Sequence, residues 1–253
     1  MRIAIAGGAL LAAAALCLVP MGTAHAQLAP EPVQGYFGNV QATPESPARS
    51  RPGDQATNAI TIVYDNTASP ANFGFGSVDP AALFGDELFT TGTGLLSTQK
   101  FSSFNAGTAG VLLTATYGIQ IYDAVTSALL GSYSASVNFG AGLNPGFFAT
   151  ITVTGLDPLV ILLPVTDVIV LQSVVSKTGT ATKLGVASKT PPTVGSSPNT
   201  MFISASDVGG GVAGFYNIGS PPVPANPIYQ LGLAPPPVGT HSKTWTEIKK
   251  LYR

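Results

Sequence analysis

The sequence predicts an all-β fold, a two-sheet antiparallel β-sandwich with jelly-roll connectivity. Three observations carry that expectation. Apolar residues recur with period two over several stretches, and turn-forming residues punctuate the chain at short intervals. No amphipathic helical stripe of useful length precedes the last eleven residues.

The chain opens on a segment that reads as a signal peptide, residues 1–26. Arg2 supplies a short positive region, Ile3 to Val19 is almost unbroken Ala, Leu, Ile and Gly, and Ala24-His25-Ala26 is a small-x-small cleavage site. As a transmembrane anchor the apolar run is short. Leu16 before Cys17 is the wrong residue for a lipobox. The expectation is export by the general secretory route, removal of the segment by signal peptidase, and a mature chain from Gln27 at the cell surface or beyond. Cys17, the sole cysteine, leaves with the segment. The mature chain then enters an oxidising space without disulfides or thiols and relies on core burial. About 160–180 residues between the Pro-rich ends are enough for one core.

Residues 27–57, rich in Pro, Gln, Ala and Ser, read as a flexible arm. Residues 58–219 read as the sandwich domain. There Leu113, Ala115, Tyr117, Ile119 and Ile121 alternate with Thr114, Thr116, Gly118 and Gln120; Phe147, Ala149, Ile151 and Val153 alternate with Phe148, Thr150, Thr152 and Thr154. Alternation places the first of each set on a core face and most of the second toward solvent. The continuous apolar runs Leu159–Leu163 and Val168–Leu171 read as strands buried on both faces, interrupted by Pro164, Asp167 and Gln172 too soon to span a membrane. Turn signals fall at Gly92 with Gly94, Asn105-Ala106-Gly107, Asp123 to Ser127, Asn144-Pro145-Gly146, Gly155 to Pro158 and Gly209 to Gly211. Residues 220–242 form a Pro-rich linker, and 243–253 a short basic tail.

An outer-membrane barrel also has alternating strands. It would usually end on an aromatic where this chain ends in Arg253, and the long apolar runs do not suit a polar lumen. Charged residues make up 9% of the chain, 11 basic against 12 acidic, so no basic patch exists to draw nucleic acid by counterion release. Neither a nucleic-acid partner nor an integral span in the mature chain is expected. So weakly charged a surface suits a protein immobilised on a surface or in a matrix.

Reactive groups are few. His241 is the only histidine after the signal segment, so neither a Ser-His-Asp set nor a His-based metal site can be assembled. Walker and dinucleotide fingerprints are absent. Asp65, Asp79, Asp86, Glu87 and Asp123 leave room for a paired-carboxylate hydrolase, but the aromatics that usually floor a sugar cleft are sparse. A structural calcium ion, held by Asp65, Asp86 and Glu87 with Asn66 and backbone carbonyls, is a second reading of the same residues and the only cofactor they suggest. The favoured reading is that Asp65-Asn66 and Gly85-Asp86-Glu87 are turn residues bonding their own backbone. Phe73, Phe75, Phe101, Phe104, Tyr122 and Tyr133 lie at strand spacing, as core packing requires.

The tail differs in composition, with five charged residues in eleven. Trp245, Ile248, Leu251 and Tyr252 fall on one side at helical spacing, with Lys249, Lys250 and Arg253 elsewhere around the turn. Trp245, Ile248, Lys249, Leu251, Tyr252 and Arg253 are therefore expected to form a sorting or docking element; a frayed end folding back on the domain is the other reading.

The stretches Ile60-Thr-Ile-Val-Tyr-Asp-Asn66, Gly85-Asp-Glu-Leu88, Thr116-Tyr-Gly-Ile-Gln-Ile-Tyr-Asp123, Ala128-Leu-Leu-Gly131 and Pro191-Pro-Thr-Val-Gly-Ser-Ser197 together resemble the β-sandwich domain of bacterial choice-of-anchor secreted proteins. The likeness spans about residues 58–219. Such proteins often carry PEP-CTERM sorting tails. This chain lacks the Pro-Glu-Pro signal, the terminal membrane helix and the arginine cluster, and its Trp-x-x-Ile-Lys-x-Leu-Tyr-Arg ending resembles a different terminal tag. The resemblance implies an extracellular role in envelope, exopolysaccharide or biofilm association, without catalytic residues. The function expected is a secreted, non-enzymatic, structural or adhesive protein whose partners are extracellular polysaccharide or other surface proteins. The alternative is a lectin-like carbohydrate-binding module.

Overall fold

The computed structural model describes residues 40–43, 59–69, 71–79, 81–204, 212–218 and 224–235. The expected signal segment, most of the expected arm, the glycine cluster at 209–211, His241 and residues 243–253 lie outside these residues. Within them the chain forms β1 (Val40–Thr43), β2 (Thr61–Asp65), β3 (Ala71–Ser77), β4 (Leu83–Phe89), β5 (Gly94–Asn105), β6 (Leu112–Asp123) and β7 (Leu129–Leu143). Then follow β8 (Phe148–Thr154), β9 (Leu162–Leu163), β10 (Asp167–Gly179), β11 (Leu184–Lys189), β12 (Met201–Ser204), β13 (Gly214–Tyr216) and β14 (Tyr229–Leu233).

All ladders are antiparallel and they build two sheets packed face to face. The smaller has the order β13-β12-β4-β10-β6-β7; the larger runs β1-β8-β5-β11-β3, with β14 also beside β5, β2 beside β14, and β9 paired with the start of β5. Eight strands, β3–β8 with β10 and β11, cross between sheets at every step except the β6–β7 hairpin. They land in the orders β3-β11-β5-β8 and β4-β10-β6-β7. That alternation with one hairpin at the centre is the jelly roll expected from the turn spacing. The two sheets keep separate strand orders, so the chain is a sandwich rather than a closed ring.

The core lies between the sheets. Ala115, Tyr117, Ile119 and Ile121 face it from β6, Ile151 and Val153 from β8, Leu96 and Phe101 from β5, and Val168 and Val170 from β10, all at most 2% exposed. A fully buried Val, Ile or Leu contributes roughly 1.5–3 kcal/mol, so these rows dominate stability. The run Val168–Leu171 is buried on both faces as expected. Val168 and Val170 enter this core, while Ile169 and Leu171 pack outward with Leu83, Tyr122 and Phe202.

Four expectations need correction. Leu113 is exposed and Leu112 takes the core position, because a register shift between Leu112 and Thr114 turns the strand at its start. Phe147 precedes β8 and is also exposed. The run Leu159–Leu163 is no doubly buried strand: residues Asp157–Leu159 form a 3-10 turn, Val160 and Leu162 are exposed, and only Leu162–Leu163 pair, with β5. The Pro-rich stretches also contribute strands. Val40–Thr43, within the expected arm, pairs along β8, and Tyr229–Leu233, within the expected linker, sits between β2 and β5. Tyr229, Leu231 and Leu233 alternate inward, and the flanking prolines stop short of the ladder, where a missing N–H would break it.

Candidate functional site

The end of β5 changes neighbours. β11 pairs with its last two residues and β14 with the stretch from Leu96 to Phe101. Asn66, just past β2 and fully buried, closes the junction. Its Nδ2 donates to the carbonyls of Lys189 and Pro227, each at 2.9 Å, and its Oδ1 accepts from the Tyr229 N–H at 2.9 Å. One side chain thereby fixes the ends of β2, β11 and β14.

A strap from Thr193 to Ser197 crosses the same region. Asp65 and Val194 exchange backbone bonds, as do Phe89 and Ser196. Gly195 makes the turn possible: its φ is +73°, and a Cβ there would lie 2.5 Å from the Phe89 carbonyl oxygen. The strap delivers the Ser197 hydroxyl to Asp86 Oδ2 at 2.8 Å.

Asp86 lies inside the sandwich. Alternation along β4 sends Phe84, Asp86 and Leu88 inward and Glu87 outward. The expectation of a turn at Gly85-Asp86-Glu87 is corrected accordingly: these residues are mid-strand. Gly85 is required there, because a Cβ would lie 2.2 Å from the Val170 carbonyl oxygen. Burial pushes the Asp86 carboxyl well above the usual carboxylate range, with the Ser197 hydrogen bond opposing the shift.

Around Asp86 the core is polar. Tyr64 and Tyr229 from the larger sheet lie within electrostatic range of it, and Tyr133 within range of Tyr229. Burial pushes all three phenols far up. Gln99 sits diagonal to Tyr229 across the β5–β14 ladder, on the same inward face. Asp86 Oδ1, the three tyrosine hydroxyls and both amide atoms of Gln99 have no hydrogen-bond partner among the described residues. Elsewhere two polar core groups are paired across the sheets, the Tyr117 hydroxyl with Ser103 and Gln172 Nε2 with the Ser102 carbonyl at 2.9 Å, while others, Gln172 Oε1 and Ser188 Oγ among them, stand singly without a partner among the described residues.

The three nominated calcium ligands therefore take different places. Asp65 Oδ1 accepts from the Thr67 N–H and hydroxyl, both at 2.7 Å, and its Oδ2 accepts from Gln230 Nε2. That is the turn bonding expected of Asp65, whereas Asn66 departs from it by bonding the distant backbone of Lys189, Pro227 and Tyr229. Asp86 faces the core and Glu87 the opposite face of β4. Among the described residues no three His, Cys, Asp or Glu side chains come together at metal-ligating spacing. Asp123 also serves a turn, its Oδ1 accepting from the Val125 and Thr126 N–H groups at 2.9 Å each, which holds its carboxyl below the usual range. A cavity of about 220 Å³ opens between the β3–β4 turn and the β10–β11 hairpin, lined by Ser77, Asp79, Phe84, Ser176, Lys177 and Leu184 among others. It holds none of the three nominated ligands.

The face of the smaller sheet turned away from the central core has two unlike halves, the first of them buried. One is the apolar group around Leu83, Tyr122, Ile169, Leu171 and Phe202. The other is three rows of small side chains without a charge. Ser176, Thr116 and Ser136 are opposite one another across β10, β6 and β7; so are Thr178, Thr114 and Asn138; so are Ser173, Gly118 and Ser134. The hydroxyls of Thr116 and Ser136 lie 2.9 Å apart, those of Thr114 and Thr178 2.7 Å. Ser136, Asn138, Ser176 and Thr178 are exposed.

Tyr64, Ser197 and Asn226 were not singled out as site residues by the sequence, although the first two lie in stretches that carried the family resemblance, and Asn66 was named only beside the calcium ligands. The signal available was Phe84-x-Asp86-x-Leu88, which places a carboxyl on a strand's apolar face. No family description, no curated protein and no solved structure matches the chain.

Proposed function

We propose that this chain is an exported, non-enzymatic protein of the cell surface or extracellular matrix, with a structural or adhesive role. The observation that carries the reading is the uncharged hydroxyl face of β6, β7 and β10, with neighbouring strands about 4.8 Å apart. Such a face suits contact with a neutral, hydrogen-bonding neighbour. The signal-like segment at 1–26 and the likeness to choice-of-anchor sandwiches support the same address. The tail at 243–253, with Trp245, Ile248, Lys249, Leu251, Tyr252 and Arg253, is the proposed sorting or docking element.

Fractionation of cells expressing the full chain tests this. The wild type is expected with cells or matrix, and a Thr116→Arg, Ser136→Arg double variant is expected free in the medium in equal folded amount. Equal partition of the two would remove the face from the reading. Deleting residues 243–253 tests the tail in the same assay, and retention unchanged by the deletion rejects it.

The same hydroxyl rows favour a second reading, a carbohydrate-binding module for an extracellular polysaccharide, since hydroxyls donate and accept as sugars do. A glycan array separates the two: saturable binding that the double variant loses supports the module, and no saturable binding to any glycan ends it.

A further inference from the structure

We propose that the interior between β2, β4 and β14 is a binding site for ordered water, built around Asp86 as an undissociated acid. Its Oδ2–H donates to Ser197, and its Oδ1 accepts from water shared with Tyr64 and Tyr229.

The proton assignment follows from counting hydrogens. Asn226 Nδ2 donates to Thr190 Oγ1 and to Asn199 Oδ1, each at 3.0 Å. That orientation, assigned from its partners, turns Asn226 Oδ1 toward Ser197 Oγ at 3.0 Å. Ser197 stands between two acceptors, Asn226 Oδ1 and Asp86 Oδ2 at 2.8 Å, with one hydroxyl hydrogen to give. If that hydrogen goes to Asn226, the contact with Asp86 needs a hydrogen from the carboxyl. A carboxylate leaves one of the two contacts without a hydrogen, whereas an undissociated acid supplies both.

The water follows from the remaining atoms. Asp86, Tyr64, Tyr133, Tyr229 and Gln99 are all 0% exposed, and each keeps at least one unpaired polar atom. The smaller sheet contributes Asp86 and Tyr133. The larger contributes Tyr64 and Tyr229, diagonal neighbours across β2 and β14, and Gln99 diagonal to Tyr229. Buried polar groups in native proteins are nearly always satisfied by protein or by water. The set includes donors, the phenol hydrogens and the Gln99 amide, as well as acceptors. A cation accommodates only lone pairs and an apolar guest serves neither, whereas water serves both. At about three bonds per buried water, roughly two molecules satisfy the group.

The full chain tests this in two measurements. Infrared spectra at neutral pH should contain the carbonyl stretch of an undissociated acid, absent from Asp86→Asn. Crystals diffracting well enough to place solvent should hold density about 2.7–3.2 Å from Asp86 Oδ1 and from the Tyr64 or Tyr229 hydroxyl. A carboxylate signal alone overturns the acid. A dry interior, with the phenols bonded directly to Asp86, overturns the water. Tyr64→Phe keeps the ring and serves should Asp86→Asn fail to fold: it should lose one water position, and an unchanged solvent pattern counts against the site.

Discussion

The two flanks of the sandwich interior are equally buried and oppositely made. Under β6 and β8 the facing side chains are Ile119, Ile121, Ile151 and Val153, each 0% exposed and without a polar atom. Under β2, β4 and β14 they are Tyr64, Asp86 and Tyr229, also 0% exposed, with hydrogen-bonding groups at their tips. The first flank needs only volume and shape. The second needs every donor and acceptor matched, since an unmatched buried group costs about 1–3 kcal/mol. Equal burial thus implies unequal tolerance, and the polar flank is where strand ends β2, β11 and β14 are tied together.

The sharpest contrast is at Asn66. Asn66→Ala removes one side chain and strands the Lys189 and Pro227 carbonyls and the Tyr229 N–H. The expected loss is about 3–6 kcal/mol by urea unfolding, above what a simple cavity of that size gives. A loss under about 1 kcal/mol would mean that the junction is held elsewhere, by the strap. Next in size, Ile121→Ala on the apolar flank should lose about 2–5 kcal/mol through transfer and cavity alone. Its loss should not depend on pH. Any pH dependence would couple the flanks and blur the comparison.

The third prediction is a pH dependence confined to the polar flank. Because the folded Asp86 carboxyl titrates above its unfolded value, the folded chain keeps a proton that the unfolded chain releases. The contribution is complete below about pH 4 and is lost as pH rises from there toward the folded value, by about 1.4 kcal/mol per pH unit. The neighbouring titratable groups are Tyr64 and Tyr229 across the sheets and Glu87 next along the strand. The two phenols are pushed up themselves and stay neutral across this window. Asp86→Asn has no proton to lose and keeps a donor for Ser197. It should match the wild type near pH 4 and exceed it increasingly above, in urea melts at stepped pH. Parallel curves would show that Asp86 ionises in the folded chain as it does in the unfolded one.

The apolar flank was legible from the sequence and the polar flank was not, for a physical reason. Ala115 to Ile121 and Ile151 to Val153 alternate plainly, and Val168–Leu171 announces a strand covered on both sides. Local period is enough where burial is the only requirement. Asp86 beside Glu87 looks like a solvated turn, because a carboxyl is rarely buried without a reason that lies far along the chain. That reason is Ser197, 111 positions away in sequence, carried in by a strap whose turn depends on Gly195. Likewise β14 hid among prolines, although Tyr229, Leu231 and Leu233 alternate as clearly as β8 does. Leu113 was misplaced because the register shift that exposes it belongs to the pairing with β7 rather than to β6 alone.

The smallest effect is expected outside, on the hydroxyl rows. Thr116→Ala removes the contact with Ser136 at 2.9 Å, but both residues are open enough for water to replace what is lost. A surface change of this kind should stay within about 0.5 kcal/mol of the wild type, with a slight penalty for placing Ala on a strand. Urea unfolding of the variant and of Ser136→Ala is the check. Stability indifferent to the rows, combined with loss of cell association in the arginine double variant, would assign them to contact with a partner. A loss above about 1 kcal/mol from either alanine would instead make the rows part of what holds β6 to β7, and the proposed role of this face would fall with it.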